Sequence, residues 1–235
     1  MLLLISAIAF GFYGRYSQRY QVEMEAGNLT STGDQALGQI LADLRLAGYP
    51  PAFTVGIAPS PMNLYGPAYT GTSDNLVARG FNWPGGVMTA TAASFEAALG
   101  DTGTTPLGVN GLIVDQVSYT LAAMNAGQTA NCTANPQYPA GTLWSLSRSV
   151  TPKTAAGGVG ATITRTVLDH IFSANGNAPS VFSYDDAGGN VTANPAAVAQ
   201  IRVALVLQTC SGDLKNGLPV QLPFSGTAYI RNLGQ

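Results

Sequence analysis

The sequence of 235 residues has few charged side chains. Asp, Glu, Lys and Arg make up only 9% of it, and 10 Lys and Arg stand against 12 Asp and Glu, which gives a net charge of −2. A nearly neutral chain offers no electrostatic attraction for nucleic acid or for anionic lipid headgroups. Nucleic acid is therefore not expected as a partner.

Side chains that carry catalytic chemistry are also scarce. His170 is the only histidine, and the sequence has no Gly-x-Ser-x-Gly motif to supply a nucleophile. If its segment is a strand, the neighbouring Asp169 points to the opposite face, which favours a structural or surface role for His170. The run Gly157–Gly160 lacks the Lys-Ser/Thr of a phosphate loop and is more typical of a hairpin tip. We expect no enzymatic activity and no cofactor.

Cys132 and Cys210 are the only cysteines, and neither belongs to a Cys-x-x-Cys motif. Without a local cluster of Cys and His, a zinc site is not expected. If the globular part lies outside the cytoplasm, the two residues are expected to form one disulfide. Closing so long a loop stabilises the fold by roughly 4 kcal/mol in the chain-entropy model. The alternative is two separate buried thiols.

The chain opens with an apolar segment. Residues 1–13 are apolar or small, and the first positive charge is Arg15. A helix of that length spans about 20 Å, which is short of the roughly 30 Å of bilayer hydrocarbon. A signal peptide ending at Ala7-Ile-Ala9 is one interpretation, although no basic region precedes it. We favour a longer apolar helix with about ten or more residues missing, because its end carries residues typical of an interfacial belt: Arg15, Tyr16, Arg19 and Tyr20.

A second helical pattern follows the apolar segment. Gly27, Asn28 and Gly33 are expected to loosen the helix, and Thr32 or Asp34 would cap its resumption. Apolar residues then recur at i, i+3, i+4 and i+7, as on one face of an amphipathic helix: Leu37, Ile40, Leu41 and Leu44. Gly48 is a typical residue after a helix end, and Pro50-Pro51 prevents continuation.

The helical segment Ala36-Leu-Gly-Gln-Ile-Leu-Ala-Asp-Leu-Arg-Leu-Ala-Gly-Tyr49 resembles the type IV pilin-like proteins. It is most similar to the PilW-like minor pilins and the J-type minor pseudopilins of type II secretion, whose helix commonly ends in Asp-[Leu/Ile]-Arg-x-Ala-Gly-Tyr. Three later segments also resemble the family, in the expected order: Gln116–Leu121, Leu143–Arg148 and Tyr229–Asn232. Proteins of that family begin with a basic leader, a glycine cleaved by prepilin peptidase, and an apolar segment with an early glutamate. Residues 1–13 contain no acid.

The resemblance implies an α+β fold in which a long N-terminal α-helix packs on an antiparallel β-sheet. Residues 1–49 would form the apolar and amphipathic helix, and residues 50–235 a β-rich head. The chain would be a structural subunit of a type IV pilus or a type II secretion pseudopilus, with other pilin or pseudopilin subunits as partners. It would lie in the bacterial inner membrane with a periplasmic head before entering an extracellular filament. Its assembly helix would use Leu2, Leu3, Leu4, Ile5, Ile8, Phe10 and Phe12.

The rest of the chain is predicted to be rich in β-strands. The segments with alternating or β-prone patterns are residues 112–121, 142–150, 161–168, 180–184, 201–207 and 221–230. Residues 142–150 and 161–168 are expected to pair across Gly157-Gly158, and short connections favour antiparallel order. Ala92 to Leu99 is predicted to be a short helix within a Gly-, Pro- and Thr-rich region spanning 50–111.

One turn offers a candidate ion site. Asp185, Asp186 and Asn190 supply carboxylate and amide oxygens, which are the ligands that Ca²⁺ prefers. Clusters of this kind are more often only turns. The alternative function for the whole chain is an exported, membrane-anchored domain that binds or hydrolyses carbohydrate, with Trp83 and Trp144 stacking on sugars, although aromatic residues in strands more often belong to the core.

Overall fold

The computed structural model describes residues 2–48, 81, 85–97, 99, 115–125, 129, 132, 143–152, 160–212 and 218–230. Within these residues the fold is α+β, with one N-terminal helix and one antiparallel sheet, as the sequence predicts. Helix α1 is followed in chain order by the strands β1 Val87–Met88, β2 Ala92–Ala97, β3 Asp115–Ala123, β4 Leu143–Pro152, β5 Ile163–Phe172, β6 Phe182–Asp185, β7 Gln200–Gly212 and β8 Pro219–Tyr229. A 3₁₀ turn, Pro195–Ala197, precedes β7.

Helix α1 runs without interruption over Leu2–Arg45, a length of 44 residues. At 1.5 Å per residue it extends about 66 Å, which is more than the diameter of a small domain. The predicted loosening at Gly27, Asn28 and Gly33 is therefore wrong, and no cap is needed at Thr32 or Asp34. The end of the helix agrees with the sequence, because Gly48 has a φ of 78° and its N–H donates to the Glu96 carbonyl at 2.8 Å. Pro50-Pro51 lies outside the described residues.

The sheet is an antiparallel array of eight strands, in the order β1-β2-β3-β4-β5-β7-β6, with β8 also pairing with β7. Strand β8 pairs along the whole of β7, so β5 and β6 share the other side of that strand. The sheet curls until β2 approaches β6. The Val181 and Phe182 N–H groups donate to the carbonyl of Ala90, just before β2, and the Tyr184 hydroxyl donates to the carbonyl of Ala92.

Most predicted strands are confirmed with shifted ends. The expected pairing of β4 with β5 is present from Leu143↔Phe172 to Val150↔Ile163, while residues 153–159 between them lie outside the described part. The short helix predicted for Ala92 to Leu99 is wrong, because Ala92–Ala97 is strand β2. Its last five residues are all buried, and burial between neighbouring elements outweighs the helix propensity of an Ala-rich segment.

The C-terminal part of α1 covers one face of the sheet and forms the core with it. Ile40, Leu44 and Ala47 are fully buried, while Leu37 and Leu41 are partly buried against the same core, which confirms the predicted apolar stripe. Two glycines allow the helix to approach β8 closely. A Cβ at Gly33 would lie 2.5 Å from the Phe224 ring, and one at Gly226 would lie 2.5 Å from Leu41.

Candidate functional site

The N-terminal part of α1 carries exposed aromatic residues. Among the predicted assembly residues, Phe10 is 76% and Phe12 is 72% exposed. The helix also includes the other five, although their side chains are not among those described: Leu2, Leu3, Leu4, Ile5 and Ile8. Tyr13, Tyr16 and Tyr20 are exposed as well. By contrast, every third or fourth residue from Leu29 onward is buried on the head.

No helix in the described part of the chain combines the length and apolarity needed to cross a bilayer.

A buried polar cluster joins the end of α1 to the middle of the sheet. The Asp43 Oδ2 atom accepts hydrogen bonds from the Tyr119 hydroxyl and from Arg148 Nε, each at 2.6 Å. Asp43 comes from the helix, Tyr119 from β3 and Arg148 from β4, and all three are buried. Burial raises the pKa of the Tyr119 hydroxyl, and the Asp43 carboxylate beside it adds to the rise. The hydroxyl therefore stays protonated and acts as a donor.

This cluster gives a physical role to three segments that carry the pilin resemblance. Asp43 stands in the helix-ending motif, Tyr119 in Gln116–Leu121, and Arg148 ends Leu143–Arg148. Their meeting at one carboxylate was not predicted, because it depends on the pairing of β3 with β4 and on the position of the helix above them. The register places Tyr119 opposite Arg148, so both side chains reach the same face.

A second polar contact holds the middle of α1 to the end of β7. The two carboxylate oxygens of Glu25 accept the successive backbone N–H groups of Cys210 and Ser211, the latter at 3.1 Å. A carboxylate that binds two adjacent N–H groups makes charge-assisted hydrogen bonds, which are stronger than neutral ones. Glu25 thereby fixes the helix to the sheet about five and a half turns before the helix ends.

His170 lies beside this contact in an unusual backbone conformation. Its φ of 58° is left-handed, and the β4–β5 register shifts between Trp144 and Leu146, where β5 carries one extra residue. Such a bulge redirects side chains. His170 Nδ1 consequently lies 3.0 Å from Asp169 Oδ1, so the expectation that Asp169 points away from its neighbour is wrong.

The contact between His170 and Asp169 also shifts the pKa of both side chains. The hydrogen bond to Asp169 raises the pKa of the His170 imidazole, against the lowering effect of burial, and the charges of Asp169 and Glu25 add to the rise. The same hydrogen bond lowers the pKa of the Asp169 carboxyl. Both shifts favour the ion pair at this edge of the sheet.

Cys132 and Cys210 form a disulfide, as the sequence predicts. One ring nitrogen of His170 and the two sulfurs lie within 4.8 Å of one another. The sequence did not indicate this cluster of Cys and His, because its three residues come from distant segments. Glu25, His170 and Ser211 also line an open cleft of about 820 Å³ between α1 and the sheet, together with Tyr20, Gln21, Met24, Asn28, Leu29 and Thr32.

The carboxylates of the predicted calcium site already have partners within the protein. The buried Asp185 carboxylate pairs with the Arg202 guanidinium, with Nε at 2.8 Å and the second nitrogen at 2.9 Å. Asp186 Oδ1 instead accepts the N–H groups of Gly188 and Asn190, each at 2.9 Å, and these bonds lower its pKa. The carboxylates thus serve an ion pair and a turn, and calcium binding would require Asp185 to exchange a guanidinium for the ion.

The aromatic residues considered for sugar stacking give little support to that function. Trp144 is partly buried and packs against the hydrophobic core, and Trp83 lies outside the described residues.

Comparison with protein-family models, curated proteins and solved structures finds no match for this chain.

Proposed function

We propose that this chain is a structural subunit of a bacterial filament, of the type IV pilus or type II secretion pseudopilus kind, and that it assembles through α1. The observation that carries the proposal is the division of one continuous helix into two parts. The part from Leu29 to Leu44 is packed on the sheet, while the part around Phe10 to Tyr16 exposes large aromatic side chains. A role in assembly accounts for this exposure, and the subunit needs no catalytic site.

The physics of assembly follows from what surrounds the exposed helix. Before assembly, its apolar side chains would lie in the inner membrane, and after assembly they would contact the helices of other subunits. Lipid tails already solvate apolar side chains, so burial alone gives little driving force for this exchange. Helix packing and specific polar contacts would then decide which subunits join.

The buried cluster at Asp43 supports the same function. A filament subunit must hold its head at a fixed angle to the helix, since the helix sets the position in the core and the head forms the surface. Hydrogen bonds from Tyr119 and Arg148 to Asp43, each at 2.6 Å, join the helix to two neighbouring strands at its C-terminal end. Charge-assisted bonds of this length constrain orientation as well as distance.

The proposal is tested by placing a charge on the exposed part of the helix. In the bacterium that encodes the chain, the wild-type subunit is expected in the filaments sheared from the cell surface, detected by immunoblot and by immunogold microscopy. Phe12→Asp should reduce its amount there at least about tenfold, because an aspartate within an apolar helix in the membrane costs about 2.5 kcal/mol or more. Since Phe12 is 72% exposed, the purified variant should keep its unfolding curve.

The matched control is Gln35→Asp. This change adds the same charge to the same helix, at an exposed position of the part that is packed on the head. It should leave the filament fraction unchanged. The proposal is contradicted if the wild-type protein is absent from the filament fraction, or if both variants enter filaments as the wild type does.

A further inference from the structure

We propose that reduction of the Cys132–Cys210 disulfide opens a metal site, in which the two thiolates and the His170 imidazole bind Zn²⁺. The inference is independent of filament assembly, since it concerns only the edge of the head. Its basis is the convergence of two sulfurs and a ring nitrogen within 4.8 Å of one another. Thiolate and imidazole are the donors that Zn²⁺ prefers in proteins.

The donor positions fit the size of a zinc site. Tetrahedral Zn²⁺ holds sulfur at about 2.3 Å and imidazole nitrogen at about 2.0 Å, which places its ligand atoms roughly 3.5–4 Å apart. Cleaving the disulfide lets the two sulfurs separate to that distance by side-chain rotation. The backbone positions are already close, with 4.5 Å between the two Cα atoms.

Asp169 prepares His170 for this role. Its Oδ1 atom lies 3.0 Å from His170 Nδ1, which leaves Nε2 as the nitrogen free to bind a metal. A carboxylate bonded to the far nitrogen of a histidine is the usual arrangement behind a zinc-bound imidazole, where it sets the tautomer and the ring orientation. The bulge and the left-handed φ of 58° at His170 hold the ring in this place. Asp169 is accordingly a positioning residue.

The fourth coordination position would face solvent. Glu25 of the helix lines the same cleft as His170, but its two oxygens are engaged by the N–H groups of Cys210 and Ser211. His170 lines the open cleft, so a water molecule can reach the metal from that side. Three protein ligands and one water are a common zinc coordination set.

The disulfide and the metal exclude each other. A phosphine reductant transfers two electrons to the disulfide, cleaves the S–S bond and becomes a phosphine oxide with oxygen from water, while the two sulfurs take up two protons. Binding of Zn²⁺ then releases these two protons as the thiols become thiolates, and it also releases the proton that His170 Nε2 carries in the ion pair with Asp169. The oxidised protein has no thiolate to offer and should not bind the ion at this place.

The first experiment uses the full chain, reduced with a phosphine under anaerobic conditions and titrated with Co²⁺ and then with Zn²⁺. We expect a thiolate-to-cobalt charge-transfer band and the visible bands of a tetrahedral ion, at one equivalent, and their loss when Zn²⁺ displaces Co²⁺. Zn²⁺ should also raise the Tm of the reduced protein, because binding to the folded state stabilises it. Protein left oxidised should show neither effect.

Two variants identify the ligands. His170→Ala should raise the Kd for Zn²⁺ more than about tenfold, and Asp169→Asn should raise it about 10–100-fold, as changes behind zinc-bound histidines do. The matched control is Asp186→Asn, which alters an exposed turn and should leave the Kd unchanged. The wild-type measurements keep the test decisive even if a variant folds poorly. The proposal is overturned if reduced wild-type protein gives no cobalt spectrum and no zinc-dependent rise in Tm, or if folded His170→Ala binds as tightly as the wild type.

Discussion

At the scale of single residues, the head depends on a few buried polar groups that form hydrogen bonds with one another. Asp43 receives two hydrogen bonds of 2.6 Å, and the side chain of its partner Arg148 is only 3% exposed. A buried ion pair of this kind is weak evidence for stability by itself, because desolvation offsets much of its attraction. Removal of one member is a different matter, since the other charge then stays in the interior without the group that neutralises it.

Asp43→Ala is therefore expected to destabilise the protein by about 3–5 kcal/mol, the cost of breaking a buried pair from one side. The measurement is urea unfolding followed by circular dichroism, with the shift of the midpoint converted through the slope. Asp34→Ala is the control, because Asp34 is an exposed acid on the same helix and its removal should change stability by less than about 0.5 kcal/mol. Equal effects of the two substitutions would contradict the structural role given to the cluster.

At the scale of secondary structure elements, the sequence predicts those whose patterns are local. The alternation of Ile201, Val203, Leu205 and Leu207 predicts β7, and all four residues are buried in one face of that strand. The pattern fails at β2, where Ala-rich composition favours a helix but the neighbours β1 and β3 impose a strand. It fails again in α1, where glycine suggests a break although packing on the sheet sustains the helix.

For the candidate site, the sequence predicts several of the residues that take part but not which of them come together. The sequence indicates the disulfide between Cys132 and Cys210, and the resemblance singles out the segments that contain Asp43 and Arg148. Which residues meet depends on strand register, and the register of β4 with β5 shifts at two places, one of them at His170. The extra residue in β5 turns the His170 side chain toward the cysteines. A strand pattern read from the sequence cannot predict this, because it assigns side chains to the two faces by simple alternation.

Two of the glycines in α1, Gly33 and Gly38, test the packing of the helix directly. Gly38→Ala should raise the free energy of unfolding by about 0.5–1 kcal/mol, because a Cβ there meets open space and alanine is the better helix former. Gly33→Ala gains the same propensity but places its Cβ 2.5 Å from the Phe224 ring, so we expect a net loss relative to Gly38→Ala. Both are measured by the same unfolding experiment.

A double-mutant cycle shows whether Phe224 is the cause. In the Phe224→Ala background the ring is absent, and Gly33→Ala should become stabilising by about the amount seen at Gly38. If Gly33→Ala is stabilising with the ring present, the close approach of α1 to β8 is not a constraint on the sequence.

At the scale of the whole molecule, α1 is held to the head at two separated places. One is the C-terminal end, where Asp43 and Gly48 bind the sheet, and the other is Glu25 at the end of β7. Between these places the helix buries Leu29, Ala36 and Ile40. The N-terminal part of the helix, in which Tyr13, Tyr16 and Tyr20 are exposed, lies before the attachment at Glu25. Glu25 thus marks the boundary between the packed helix and the exposed helix.

Glu25→Ala should move that boundary toward the C-terminus. The substitution removes two hydrogen bonds from a charged acceptor, each of a kind that contributes roughly 1.5–3 kcal/mol, but Glu25 is partly exposed and water replaces part of the loss. We therefore expect faster hydrogen exchange of the backbone amides between Val22 and Leu29, two residues whose side chains are buried. The amides near Ile40 and Leu44 should keep their protection.

Glu23→Ala is the matched control, since Glu23 forms an exposed pair with Arg19 at 2.8 Å and such a pair contributes about 0.5 kcal/mol or less. If Glu23→Ala and Glu25→Ala have the same exchange pattern, the carboxylate at position 25 does not hold the helix. If protection is lost instead along the whole helix, the two attachments form a single cooperative unit, and the exposed part cannot separate from the head without unfolding it.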